Sequence, residues 1–216
     1  MSLIFNIIEI IGVFSFAISG ALMAIDKEND IFGVLFLSII TSFGGGITRD
    51  VILGQTPLFF TSYHLVIVAA LTSLVVFFLA MIFKKQYVEN EKTVNSINNY
   101  FDAAGLGVFV VSGAKICISF GLTNPFAIII LGVLSGTGGS VLRDIIMCEI
   151  PYILKKRIYV LAGFFGCGLY YLFYTLGVGD LIAMPVSAFS VFLIRVCATV
   201  FKWNMPKAID FQKLSK

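Results

Sequence analysis

Gly44-Gly45-Gly46-Ile47-Thr48-Arg49-Asp50 sets three consecutive glycines and an adjacent cation and anion inside a run, residues 31–53, that otherwise reads as a membrane span. Glycine inside a helix costs roughly 1 kcal/mol relative to alanine, so three in succession predict a kink or an interruption. An arginine at bilayer depth costs roughly 3 kcal/mol on insertion scales unless it faces protein, water or a counter-charge. Arg49 is therefore expected to face an interior.

The arrangement recurs as Thr137-Gly138-Gly139-Ser140-Val141-Leu142-Arg143-Asp144. Arg49 to Arg143, Asp50 to Asp144 and Pro57 to Pro151 are each 94 residues apart. Upstream, Glu9 to Asp102, Gly12 to Gly105 and Ser19-Gly20-Ala21 to Ser112-Gly113-Ala114 are each 93 apart. The chain is an internal repeat with a one-residue slip.

Of the 216 residues 59% are hydrophobic and only 12% charged, and the mean hydropathy is +1.00. These values exceed what a soluble domain carries and predict a polytopic membrane protein. The net charge of +3 does not imply nucleic acid, because the basic residues sit in short loops and the tail. Cys117, Cys148, Cys167 and Cys197 stand alone in apolar contexts, without a CxxC pair, and are expected to be buried inert thiols. The one histidine, His64, suits an interfacial or capping role rather than a metal cluster. No HExxH, aspartate pair within one span or serine with a histidine base is present, so no enzyme, metal site or cofactor is expected. The first apolar segment matches the opening helix of the second repeat and is expected to be retained as structure rather than removed as a signal peptide.

Seven spans are predicted at residues 3–25, 31–53, 64–83, 100–120, 126–148, 157–176 and 181–201. The fold class is an all-α integral membrane protein. One three-helix repeat (3–83) is joined by a polar linker (84–99) to a second (100–176), followed by a seventh helix (181–201) and a tail (202–216). An odd number of spans per repeat inverts the second repeat relative to the first. Charge placement supports this layout, since Lys27, then Lys84, Lys85 and Lys92, then Lys155, Lys156 and Arg157, then Lys202, Lys207, Lys213 and Lys216 all fall on one side, and the other side has none. By the positive-inside rule the linker and C-terminus lie in the cytoplasm and the N-terminus outside.

The charged residues within spans are Glu9, Arg49, Asp50, Asp102, Lys115, Arg143, Asp144 and Arg195. Each can lock helices together or line a polar path. Successive helix residues point about 100° apart, so the arginines are expected to find acids on other helices, with Asp102 and Glu9 the candidates and Arg49 with Asp102 the pair to test. Lys115 has no counterpart in the first repeat and no adjacent acid, which makes it a candidate gating charge, with snorkelling to an interface as the alternative. Glycines can also serve close helix packing. Three together beside Thr48, and Gly138-Gly139 beside Thr137 and Ser140, instead suggest broken helices that offer carbonyl and hydroxyl oxygens to small monovalent cations.

The paired GGGxxRD and GGxxxRD segments, the SGA of each opening helix and the three-plus-three-plus-one layout resemble the prokaryotic trimeric intracellular cation (TRIC) channel family, also labelled a glycine transporter domain or UPF0126-type membrane protein. The resemblance covers roughly residues 3–200. It implies a multi-pass protein of the prokaryotic inner (plasma) membrane, a homotrimer in the lipid bilayer with one pore per protomer. That pore would be lined by second and fifth helices kinked at Gly44-Gly45-Gly46 and Gly138-Gly139, and would conduct potassium with some sodium. A lysine on the fourth helix contributes to gating in animal members, and Lys115 lies on the fourth helix here. The same resemblance leaves a carrier for glycine or another small zwitterion as the alternative.

Overall fold

The computed structural model describes residues 3–155 and 158–203. Ten helices follow in order: α1 (Leu3–Asp26), α2 (Ile31–Ile52), α3 (Leu58–Thr61), α4 (Tyr63–Ile82), α5 (Lys84–Glu89), α6 (Glu91–Ser119), α7 (Pro125–Ile146), α8 (Tyr152–Lys155), α9 (Ile158–Thr175) and α10 (Asp180–Val200). Seven of them (α1, α2, α4, α6, α7, α9 and α10) are long and apolar enough to cross a membrane. At 1.5 Å per residue, about 20 residues match a hydrocarbon core of about 30 Å.

Capping residues start and stop these helices. Asp30 accepts a hydrogen bond from Gly33 N and opens α2, while Asn124 accepts from Phe126 N, ahead of Pro125, and opens α7. Such caps contribute about 1 kcal/mol each. At the far end of α2, Gly54 N donates to Val51 O and Gln55 N to Asp50 O. The same pair of bonds closes α7, from Cys148 N to Ile145 O and from Glu149 N to Asp144 O. This closure needs a left-handed residue, and Gly54 (φ 68°) and its repeat mate Cys148 (φ 55°) supply it.

The four repeat-related helices α1, α2, α6 and α7 form the centre, α4 packs on α1 and α2, and α9 and α10 pack on α6. Phe16 of α1 stacks on Phe109 of α6 with ring centroids 5.3 Å apart. The notches that admit these rings are the repeat-related glycines, since a Cβ on Gly105 would lie 2.2 Å from Phe16 and one on Gly12 would lie 2.5 Å from Val108. The outer helices turn large apolar side chains outward, as α4 does with Ile67, Leu71, Val75 and Phe78, the surface expected against lipid.

The two triads run in opposite senses. The C-terminal ends of α1, α4 and α7 meet at one end of the bundle, where Lys27 pairs with Glu149 and Tyr87 donates to Asp26. α6 begins at that same end, where Glu91 and Asn95 line a groove with Lys27 and Lys84. The loops after α1 and α7 and the segment from α4 to α6 therefore gather at one end among the described residues, whereas Lys156, Arg157, Lys207, Lys213 and Lys216 lie outside the described residues.

Three expectations are corrected. The helices are not interrupted at the glycines: α2 and α7 are each continuous from first residue to last. The segment 84–99, expected as a polar loop, is helical, because it comprises α5 and the first turns of α6. Cys117 and Cys167 are buried as expected, whereas Cys148 is exposed and Cys197 intermediate.

Candidate functional site

α2 and α7 cross at the glycines. A Cβ on Gly45 would lie 2.1 Å from Ser135 O, one on Gly139 would lie 2.0 Å from Thr41 O, and one on Gly138 would lie 2.8 Å from Gly45 Cα. These three positions admit no side chain, because the two backbones touch. Gly44 would meet Leu142 at 2.8 Å, whereas Gly46 has nothing closer than Arg49 Nη2 at 3.8 Å. The SGA segments act in the same way, Gly20 against the backbone of α2 and Gly113 against Ser135 and Gly132 of α7. With unbroken helices, the hydroxyls beside the crossing turn back on their own chain. Thr48 donates to Gly44 O, Thr137 to Val133 O and Ser140 to Thr137 O.

Flanking the crossing on each side is a buried ion pair of the same construction. Arg49 Nε donates to Asp50 Oδ1 at 2.8 Å, with Nη2 2.6 Å from the same oxygen. Asp50 Oδ2 accepts from Leu58 N, the first amide of α3. In the second repeat, Arg143 Nε donates to Asp144 Oδ1 at 2.9 Å and Asp144 Oδ2 accepts from Tyr152 N, the first amide of α8. Each aspartate thus holds its neighbouring arginine with one oxygen and starts the following short helix with the other. The adjacent acid is the partner after all, because a long guanidinium stem folds sideways across the helix surface and closes the angular gap between successive residues.

The third nitrogen of each arginine reaches another helix. Arg49 Nη1 donates to Ser135 Oγ of α7 at 2.9 Å. Arg143 Nη1 donates to Ser19 Oγ of α1 at 2.7 Å and to Asp102 Oδ1 of α6 at 3.2 Å. Asp102 therefore belongs to Arg143 rather than Arg49, a correction to the pairing read from the sequence. Its other oxygen lies 3.6 Å from Arg195 Nη2 of α10. Arg195 stacks over the Tyr159 ring, 4.4 Å from its centroid, a cation–π contact that stabilises a desolvated guanidinium. From here polar groups continue toward the lysine-rich end, with Ser19 Oγ donating to Asn98 and Tyr152 OH to Asn99.

Lys115 also departs from expectation. Its ammonium pairs with Asp180, the first residue of α10, and Asp180 in turn accepts from Tyr170 OH of α9 at 2.8 Å. The lysine ties α6, α9 and α10 together at the lysine-free end. Asp180 lies outside the repeated core, and only the fold brings it near. Ser135, Ser19, Asn98 and Tyr159 were likewise missed as site residues; Ser19 carried a signal in the repeated SGA and Ser135 in its place beside the second glycine cluster.

The glycine transporter family model matches residues 6–81 and 99–175, the two repeats. A UPF0126 membrane protein of Bacillus subtilis, YvgT, is 33% identical over 205 residues, covering 93% of this chain and 95% of its own length. Among solved structures, one describing the structural basis for conductance through TRIC cation channels is 34% identical, with a TM-score of 0.82 over 96% of this chain and 98% of the other. A prokaryotic TRIC channel crystallised in 0.5 M KCl is 32% identical, with a TM-score of 0.85 over 95% of this chain and all of the other.

Proposed function

Because this chain belongs to the glycine transporter (UPF0126) family of membrane proteins and shares the fold of TRIC cation channels, we propose that it is a monovalent-cation channel, permeable to potassium and sodium, with one path per protomer between the inverted repeats. The carrying observation is the pair of buried Arg–Asp clusters, Arg49 with Asp50 and Arg143 with Asp144 and Asp102, placed on either side of the α2–α7 crossing. Buried charge on this scale in a bilayer protein marks an ion path or its supports. On this reading the crossing, where the backbones touch at Gly45, Gly138 and Gly139, is the constriction. Separation of α2 from α7 opens it.

Assembly as a homotrimer, an N-terminus outside the cell and a cytoplasmic lysine-rich end complete the proposal. Hydrophilic loops that carry lysine remain cytoplasmic during insertion. Purified protein in a planar bilayer under a potassium gradient should show unitary current steps. The family's glycine transporter description and the inverted repeats, which also suit alternating access, favour one second reading, a carrier. Saturable glycine uptake without unitary steps would replace the channel by that carrier.

A further inference from the structure

The two halves of the molecule are built alike but are not filled alike. In the second half the carboxylate of α6, Asp102, receives Arg143 and faces Arg195, and the serine of α1, Ser19, receives Arg143. The repeat-related groups of the first half are Glu9 on α1 and Ser112 on α6. There Arg49 turns to Ser135 instead, and the first repeat has no seventh helix to supply a counterpart of Arg195. Glu9 Oε1 and Ser112 Oγ are left buried with no hydrogen-bond partner apart from each other. Counting charges, Arg143 and Arg195 balance Asp144 and Asp102, whereas Arg49 faces both Asp50 and Glu9.

Glu9 is only 6% exposed and lines a cavity of about 30 Å³ together with the polar residues Asn6, Ser62 and His64. A volume of this size holds one or two water-sized particles. Asn6 stands three residues before Glu9 and so shares its helix face, while Ser62 and His64 come from the start of α4. The cavity lies at the lysine-free end, beside the amide of Leu58 that Asp50 caps. The charged and titratable groups around Glu9 are Arg49, Asp50 and His64.

We propose that Glu9 forms a binding site for one monovalent cation, potassium or sodium, at the lysine-free mouth of each protomer. The carboxylate supplies the charge, and the Asn6 amide and Ser62 hydroxyl supply neutral oxygens. One excess acid and so small a cavity suit a single positive charge, whereas a calcium ion draws six to eight oxygens, usually from several carboxylates. The site gives the channel reading an entry point for ions and rests on that reading for its role in conduction, but not for the binding itself.

The test has two arms, both at pH 8, above the range in which histidine ordinarily titrates. In the first, thermal unfolding of detergent-solubilised protein is followed in KCl and in N-methyl-D-glucamine chloride at equal ionic strength. The wild type should melt several degrees higher in KCl. Glu9→Gln should lose that difference, and Ser62→Ala should reduce it while leaving the melt in N-methyl-D-glucamine unchanged. In the second, the potassium concentration for half-maximal conductance should rise several-fold in Glu9→Gln, with currents converging at high salt. Potassium-dependent stabilisation of equal size in wild type and Glu9→Gln overturns the site. Repeating the first arm from about pH 5 to 8 gives a second refutation: a Glu9→Gln variant that alters only the pH dependence of melting also overturns the site, since Glu9 would then hold a proton. Loss of the potassium effect in Glu9→Gln, with no current from the wild type, keeps the site and removes the channel.

Discussion

Alanine at each glycine of the α2–α7 crossing should separate packing from flexibility. At Gly45 the new methyl carbon would fall 2.1 Å from Ser135 O, and at Gly139 it would fall 2.0 Å from Thr41 O, so ordinary contact at 3.4 Å or more requires the two backbones to part by more than 1 Å. Overpacking of a core typically costs 1–3 kcal/mol, with about 1 kcal/mol returned by the better helix propensity of alanine. A rigid carbonyl places these sites at the upper end, giving a net loss of about 2 kcal/mol. At Gly46 the nearest atom is 3.8 Å away, so only the propensity gain applies and Gly46→Ala should be neutral or stabilising by up to about 1 kcal/mol. Thermal melts of the single variants in detergent, monitored by size-exclusion recovery, should rank Gly46→Ala at or above wild type and Gly45→Ala and Gly139→Ala well below it. Current from Gly46→Ala reports on helix bending alone. Equal destabilisation at all three positions would refute the backbone-contact argument, and a silent but stable Gly46→Ala would return bending to the mechanism.

A double-mutant cycle between Arg143 and Asp102 should show coupling, with Arg143→Ala costing about 3–5 kcal/mol because it leaves buried acids unpaired; the cycle between Arg49 and Asp102 should show none. Lys115→Ala and Asp180→Asn should shift the voltage dependence of opening alike, since each breaks the same link between α6 and α10, and should lower stability by no more than about 1 kcal/mol, as a partly exposed pair does. Bilayer recordings that separate the two variants would assign Lys115 a role beyond that pair. At the lysine-rich end, burial and then the hydrogen bond to Asp26 push the Tyr87 phenol above its ordinary value. The folded state therefore keeps this proton longer than the unfolded one, so its stabilisation is complete below about pH 10 and fades as pH rises further. Tyr87→Phe should flatten the alkaline limb of a melting-temperature profile, and an unchanged profile would contradict that linkage.

Much of the architecture was legible because a bilayer leaves few choices. Apolar runs of span length, the lysine asymmetry of alternate loops and the 93- and 94-residue spacing each report a constraint that acts along the chain. Those signals led to seven spans, the inverted repeat and the list of intramembrane charges, and all eight of those residues take part in buried or interfacial polar clusters. The glycines were legible as special, with bending and close packing both open, since weak helix propensity and a need for backbone contact produce the same letters.

The sequence by itself determined that Arg49, Arg143 and Arg195 had to be met by protein, because bare charge is too costly at that depth. Only the tertiary structure decided by what. Asp102 lies 41 residues from Arg143 and 53 from Arg49, and nothing in those separations says which guanidinium it faces; helix rotation and crossing settle it. The same holds for Asp180 beside Lys115 and for Ser135 beside Arg49. It also holds for the difference between the halves, where near-identical motifs leave Asp102 saturated and Glu9 without an ion pair, because the seventh helix packs on one repeat and has no mate on the other.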